Sequence, residues 1–247
     1  MATARTIGCV LCLLGGLLAH AAQAQSNDVA ARHEMVRIVE LQTQMLSAET
    51  GIAEIDQRVL DAMREVPRHA FVPEPLRPYA YGDHPLPVTD EQNIAAPLLV
   101  ALMTHVVALQ PHHVVYETGT GAGYHAAILS RLVREVYSVE VDEPLAEQAA
   151  QLLKELRYDN VHVQAGDGYY GWKAHAPYDA MIIKEAIDHV PVPLLGQLKR
   201  GGRMVLPLGP ARGPQYLTLI VKDADGKVSE QRIMPVRFSP LQGGERT

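Results

Sequence analysis

Hydrophobic positions change rhythm twice along the chain. From Ile7 to Leu18 they run almost unbroken behind one basic residue, Arg5, and the run closes at Ala22-Gln23-Ala24. A short apolar run with a small-x-small end predicts a cleaved secretory signal over residues 1–24, too short for a membrane span. Apolar residues are then spaced through polar sequence from Val29 to Glu49 and predict a helix that Gly51 ends. Ile55, Val59, Leu60, Met63 and Val66 follow a 3.6-residue period and predict a second helix, stopped by Pro67. Pro73, Pro75, Pro78, Pro85 and Pro87 forbid long helices up to Val88. Pro97 to Leu109 predicts a helix with proline in its first turn.

Beyond Leu109 the rhythm becomes strand, turn, helix. Short apolar strands are expected at 114–116, 136–139, 161–163, 180–183 and 204–207, and helices at 124–132, 144–156 and 193–198. The segments 216–222 and 231–236 predict a closing β pair around the Asp225-Gly226 turn. This alternation predicts an α/β fold with a mostly parallel sheet covered on both faces.

Composition changes the picture in two places. The net charge of −6, with no basic block, excludes general nucleic-acid binding. The two cysteines, Cys9 and Cys12, both lie in the expected signal, so the processed chain holds no disulfide, no cysteine metal site and no cysteine nucleophile. Nor does any ligand spacing predict a metal site.

Candidate chemistry gathers at Glu117-Thr118-Gly119-Thr120-Gly121-Ala122-Gly123, between a strand and a helix opening with Tyr124. Glycines permit a tight turn and close approach of a ligand to the backbone. Glu140, followed by Val141, ends the next strand, where an acid can bind a ribose diol. Gly166-Asp167-Gly168 follows the third strand, where Asp167 can accept from an adenine amino group. The spacing is G-x-G-x-G, not the G-x-G-x-x-G of dinucleotide sites. Glu117 would repel a pyrophosphate and attract the ammonium of S-adenosylmethionine, which is the expected cofactor.

The motifs from Asp56 to Gly243 resemble the protein-L-isoaspartate O-methyltransferase family. Val66-Pro67-Arg68-His69-Ala70-Phe71-Val72-Pro73, the glycine loop through Ala127, Val136 to Glu140, Gly166 to Tyr169, Ala176 to Asp179, Gly201-Gly202 and Val236-Arg237-Phe238 carry the likeness. The resemblance implies a Rossmann-like class I methyltransferase fold, with a seven-stranded, mostly parallel sheet and extra N-terminal helices. Residues 1–24 would be the signal, 25–96 a helical and substrate-side region, and 97–247 the S-adenosylmethionine-binding domain. The implied reaction methylates the α-carboxylate of isoaspartyl residues in damaged proteins, and the ester then collapses to a succinimide. The enzyme is expected to be a monomer, exported to the periplasm and not inserted in the membrane.

The likeness departs at the acceptor side. Where the family has G-x-G-Q-T-I-S-x-P, this chain reads Thr89-Asp90-Glu91-Gln92-Asn93-Ile94-Ala95-Ala96-Pro97. Ala95 takes the place of the family's active-site serine and cannot donate a side-chain hydrogen bond; Gln92 and Asn93 are its polar neighbours. Asp90 and Glu91 add negative charge. After the fourth strand, Lys184-Glu185-Ala186-Ile187-Asp188-His189 replaces a run of small residues, and Glu185 and His189 are candidates for proton transfer. His112, His113 and His125 read as surface or packing residues. Three readings stay open: isoaspartyl carboxyl methylation, methylation of an amine, imidazole or other nucleophile on the same scaffold, and binding of the cofactor without catalysis.

Overall fold

The computed structural model describes residues 26–89 and 92–243. The signal expected over 1–24, and the acidic Asp90 and Glu91, lie outside the described residues. Helix α1 (26–45) leads through a turn at Leu46 into α2 (Ser47–Thr50). The expected single helix is thus broken once before Gly51 ends it in the left-handed region at φ 72°. Helix α3 (Gln57–Glu65) starts on Asp56, whose side chain accepts from the Arg58 N–H. Its buried residues Val59, Leu60, Ala62 and Met63 realise the 3.6-residue pattern.

The proline-rich stretch forms two 3₁₀ turns, Arg68–Phe71 and Glu74–Tyr79. It also contributes β1 (Leu86–Pro87), which pairs antiparallel with β2 (Asn93–Ile94), a ribbon that prolines hide from periodicity. Helix α4 (Pro97–Val106) stops three residues short of Leu109, because the chain turns at Ala108, with φ 49°.

The main sheet is built from β3 (Val114–Thr118), β4 (Glu135–Glu140), β5 (Val161–Ala165), β6 (Tyr178–Ile182), β7 (Leu198–Leu208), β8 (Gln215–Lys222) and β9 (Val228–Val236). Helices α5 (Tyr124–Ser130), α6 (Glu143–Glu155) and α7 (Val192–Gln197) connect them. The seven strands lie in the order β5-β4-β3-β6-β7-β8-β9, parallel up to β7 and antiparallel for the last two pairings. Side chains alternate across the sheet. On β6, Ala180 and Ile182 face one apolar cluster while Met181 faces the other; on β7, Val205 opposes Met204 and Leu206. The first cluster also takes in Met35, Val36 and Met63, so the N-terminal helices share one continuous core with the sheet. The division expected at residue 97 therefore falls inside that core. No helix among the described residues is long and apolar enough to cross a membrane.

The strand order reverses at β3. From there the chain runs outward through β4 and β5, then returns to lay β6 on the other side. At such a switch point the strand ends leave a crevice, where open α/β sheets bind ligands.

Candidate active site

A cavity of about 270 Å³ opens at that crevice. One wall comes from the glycine loop and the ends of β3, β4 and β6. The facing lip comes from Pro85 and residues 92–96. The C-terminal stretch from Arg237 to Gln242 closes a third side.

The glycine loop takes its shape from backbone angles that L side chains resist. Gly119, Gly121 and Gly123 have φ of 63°, 56° and 94°. At Gly119 close approach adds a second reason, since any Cβ there would collide with the Glu185 carboxylate. Glu140 ends β4 beside this loop. Its Oε2 accepts from the Gly121 N–H at 2.8 Å, and its Oε1 from Gln92 Nε2 at 2.9 Å and the Asp142 N–H at 3.2 Å. Gln92 thus reaches from the lip to the opposite wall.

Glu117 lies one layer deeper. It is fully buried, and Lys184 Nζ sits 2.5 Å from its Oε1. Ser138 Oγ donates to its Oε2 at 2.8 Å, with Thr120 Oγ1 2.6 Å beyond. Burial raises the Glu117 carboxyl above the usual range, and the Lys184 cation and the Ser138 hydrogen bond oppose that rise. Lys184 lines the cavity and Glu117 does not. At this end of the site the residue that meets a ligand is a cation, with the acid behind it.

Glu185 follows on the cavity wall. Thr118 Oγ1 accepts from the Lys184 N–H at 3.2 Å and donates to Glu185 Oε2 at 2.5 Å. Burial lifts the Glu185 carboxyl to about 7; the Thr118 hydrogen bond and the Lys184 cation oppose this, while Glu140 and Glu117 add to it. His125 is also buried. Thr104 gives its hydroxyl proton to the Val100 carbonyl at 2.7 Å, so His125 Nε2, at 2.8 Å, must be the donor to Thr104. That tautomer leaves Nδ1 as an acceptor with no hydrogen-bond partner, 4.0 Å from Glu117 Oε1. Burial first, and Lys184 second, hold the imidazole well below its usual range.

The lip is organised by Arg68. This fully buried guanidinium spreads its donors over main-chain carbonyls: Nη1 to Ala80 at 2.7 Å and Gly82 at 3.2 Å, Nη2 to His84 at 3.3 Å and Ala95 at 3.0 Å. It also stands over the Tyr124 ring, 5.5 Å from the centroid. Asp83 ties the same loop to two helices, accepting from the Leu98 N–H at 3.1 Å and from Gln42 Nε2 at 2.7 Å.

Most residues singled out from sequence meet here. Gln92, Asn93, Ala95, Gly119, Thr120, Gly121, Tyr124, Glu140, Val141, Gly168 and Glu185 all line the cavity. Gly123 supports the wall from behind, where a Cβ would press on Leu153. Gly166 and Asp167 stand off the lining. The Gly166 N–H donates to the Glu140 carbonyl at 2.8 Å, and the Asp167 carboxylate packs against Gly243. His189 is exposed outside the cavity, with Nδ1 2.6 Å from Asp188 Oδ1 and Nε2 3.1 Å from Tyr169 Oη. His112 is exposed and His113 half-buried, whereas His125 is enclosed at the site. Sequence reasoning missed the Lys184–Glu117 pairing, the Arg68 anchor and the C-terminal wall. The first had a signal in the adjacent charges at 184 and 185. The others depend on contacts between distant segments.

Comparison with known proteins completes the picture. Residues 42–246 match the family model described as protein-L-isoaspartate(D-aspartate) O-methyltransferase (PCMT). The chain is 49% identical over 215 residues to "Protein-L-isoaspartate O-methyltransferase 2" of Syntrophobacter fumaroxidans, covering 87% of each chain. It is 51% identical over 195 residues to the protein of the same name from Polaromonas sp., covering 79% of this chain and 92% of that one. A solved structure named protein-L-isoaspartate O-methyltransferase superposes with a TM-score of 0.74 at 30% identity, over 86% of this chain and 66% of that one. A Plasmodium falciparum structure described as a complex with S-adenosyl-L-homocysteine shares the fold, with a TM-score of 0.69 at 20% identity. With its sheet order, its glycine-loop crevice and these matches, the chain belongs to the protein-L-isoaspartate(D-aspartate) O-methyltransferase family.

Proposed function

We propose that this protein transfers a methyl group from S-adenosylmethionine to the α-carboxylate of isoaspartyl residues in proteins and peptides. The observation that carries this reading is the family match across residues 42–246. S-adenosylmethionine is the donor that membership of the family brings, and when bound it supplies a methyl group already activated on a sulfonium. The cavity suits it. Gly119 and Gly121 present bare backbone to a ligand, and Glu140 offers a carboxylate to paired hydroxyls at the end of β4. Val141, Gly168 and Leu241 supply a largely apolar rim beside it.

An ionised carboxylate needs no general base, so the protein's task is alignment. The lip does this through its backbone: Arg68 fixes the Ala95 carbonyl, and β1 pairs with β2 to set the height of Ile94 and Ala95 over the glycine loop. Ala95 offers no hydroxyl to the acceptor. Incubation with donor and an isoaspartyl peptide should add one methyl ester, read by mass spectrometry. No ester at saturating donor overturns the proposal.

A second reading is favoured by Glu185, a cavity-lining carboxyl whose proton affinity lies near neutrality. Such a group can take a proton from a neutral nucleophile, as an amine or imidazole acceptor requires. Methylation of a free amine in place of the isoaspartyl peptide would select it. In that case Ala95→Ser, which restores a hydroxyl to the lip, should raise isoaspartyl turnover.

We further place the mature protein in the periplasm, on the apolar run and small-x-small end within residues 1–24. Mass spectrometry of the protein from its native cell should find an N-terminus at Gln25 in the periplasmic fraction. A chain that retains Met1 in the cytoplasm would overturn this.

A further inference from the structure

The inner end of the cavity carries a buried pair of opposite charges beside a buried acceptor. Lys184 Nζ lies 2.5 Å from Glu117 Oε1, a buried ion pair. Among the described residues Glu117 is the one acid within ion-pair distance of Lys184. An ammonium has three N–H donors. The Lys184 side chain is 13% exposed, and that exposure is into the cavity. His125 Nδ1, with no hydrogen-bond partner, is buried beside Glu117, 4.0 Å from its Oε1.

A ligand entering from the crevice therefore meets the Lys184 cation, with the carboxylate of Glu117 behind it. This is the complement of a carboxylate. Glu117 cannot reach a ligand directly unless Lys184 moves, and moving Lys184 would leave a fully buried carboxylate without its cation, a costly state.

We propose that Lys184 holds the carboxylate of the donor's amino-acid end, with Glu117 as the counterion that keeps the lysine in place. The inference rests on S-adenosylmethionine being the donor. It reassigns Glu117, expected from sequence to meet the donor ammonium, to a positioning role.

Calorimetric binding tests it without turnover. S-adenosylhomocysteine carries the carboxylate; its decarboxylated analogue, an aminopropylthio-adenosine, lacks it and keeps the ammonium. The wild-type protein should bind S-adenosylhomocysteine about 10- to 100-fold more tightly than the analogue, the scale of one hydrogen bond to a charged group. Lys184→Met should abolish that preference by weakening S-adenosylhomocysteine alone, and Lys184→Arg should keep it. Equal wild-type affinities for the two ligands overturn the proposal even if the variants fail to fold. So does a Lys184→Met variant that weakens both ligands in the same proportion or neither. A wild-type protein that binds no S-adenosylhomocysteine overturns the donor assignment itself along with this one.

Discussion

On the glycine-loop wall, the residues that meet the cavity stand at the ends of parallel strands and are held by backbone. Gly119 donates to the Val139 carbonyl at 2.8 Å, Gly121 to the carboxylate of Glu140 at the strand end, and β3 is locked between β4 and β6 by continuous ladders. Across the cavity, among the described residues of the lip from Ala80 to Ala96, only the Leu86–Pro87/Asn93–Ile94 ribbon is regular structure. Its shape depends on one buried guanidinium and one carboxylate, Arg68 and Asp83, reaching carbonyls and amides from other parts of the chain. A wall built from strand ends tolerates side-chain change while its glycines remain. A lip built on a single cation does not, although its own side chains are free to vary, as the alanine at Ala95 illustrates.

The largest expected effect therefore falls on the lip. Arg68→Ala strands one buried and three part-buried carbonyls at once and should cost about 3–5 kcal/mol in denaturant unfolding. A loss below 1 kcal/mol would show that the lip is held by something other than Arg68.

Next comes Glu185. Its carboxyl is raised from 4.5 to about 7 in the folded chain, so the folded state holds a proton that the unfolded chain releases earlier. The associated stability is complete below pH 4.5 and is lost as the pH climbs through about 7. Glu185→Gln keeps an oxygen for Thr118 and removes the titration. Its unfolding free energy should fall less steeply than the wild type's between pH 5 and 8, the difference in slope summing to at most roughly 3 kcal/mol. Parallel curves for the two proteins would refute the assignment.

Gly119→Ala probes the wall's own requirement. The left-handed backbone costs an alanine about 1–2 kcal/mol, and its Cβ must displace the Glu185 carboxylate. Lower stability should come with weaker S-adenosylhomocysteine binding in calorimetry, and unchanged binding would argue against close approach at this glycine.

Gln92→Ala cuts the contact that joins the two walls. Stability should fall by less than about 1 kcal/mol, while the Glu140 carboxylate is freed for a ligand's hydroxyls, so S-adenosylhomocysteine should bind as well as before or better. A marked loss of affinity would instead make Gln92 part of the donor site.

Read from sequence alone, the sheet domain was largely legible because its signals are local. Apolar strands of three or four residues, separated by helical periods, specify a parallel sheet. A glycine cluster after the first of them marks the crevice, and Glu140 at the next strand end follows from the same topology. The lip was legible only as a break in periodicity. Its ribbon is two residues long on each side, and prolines disguise it.

What the sequence by itself determined is the α/β alternation, the glycine loop and the family motifs, all of which depend on neighbours within a dozen positions. The tertiary structure decided the charges that face the ligand. It set Lys184 in front of Glu117, enclosed His125 with a bare Nδ1, left His189 outside, and gave the lip to Arg68. Those outcomes turn on burial and on side chains meeting across the fold. An ionisable group's behaviour comes from what lies within a few ångströms of it, and local pattern does not encode that distance.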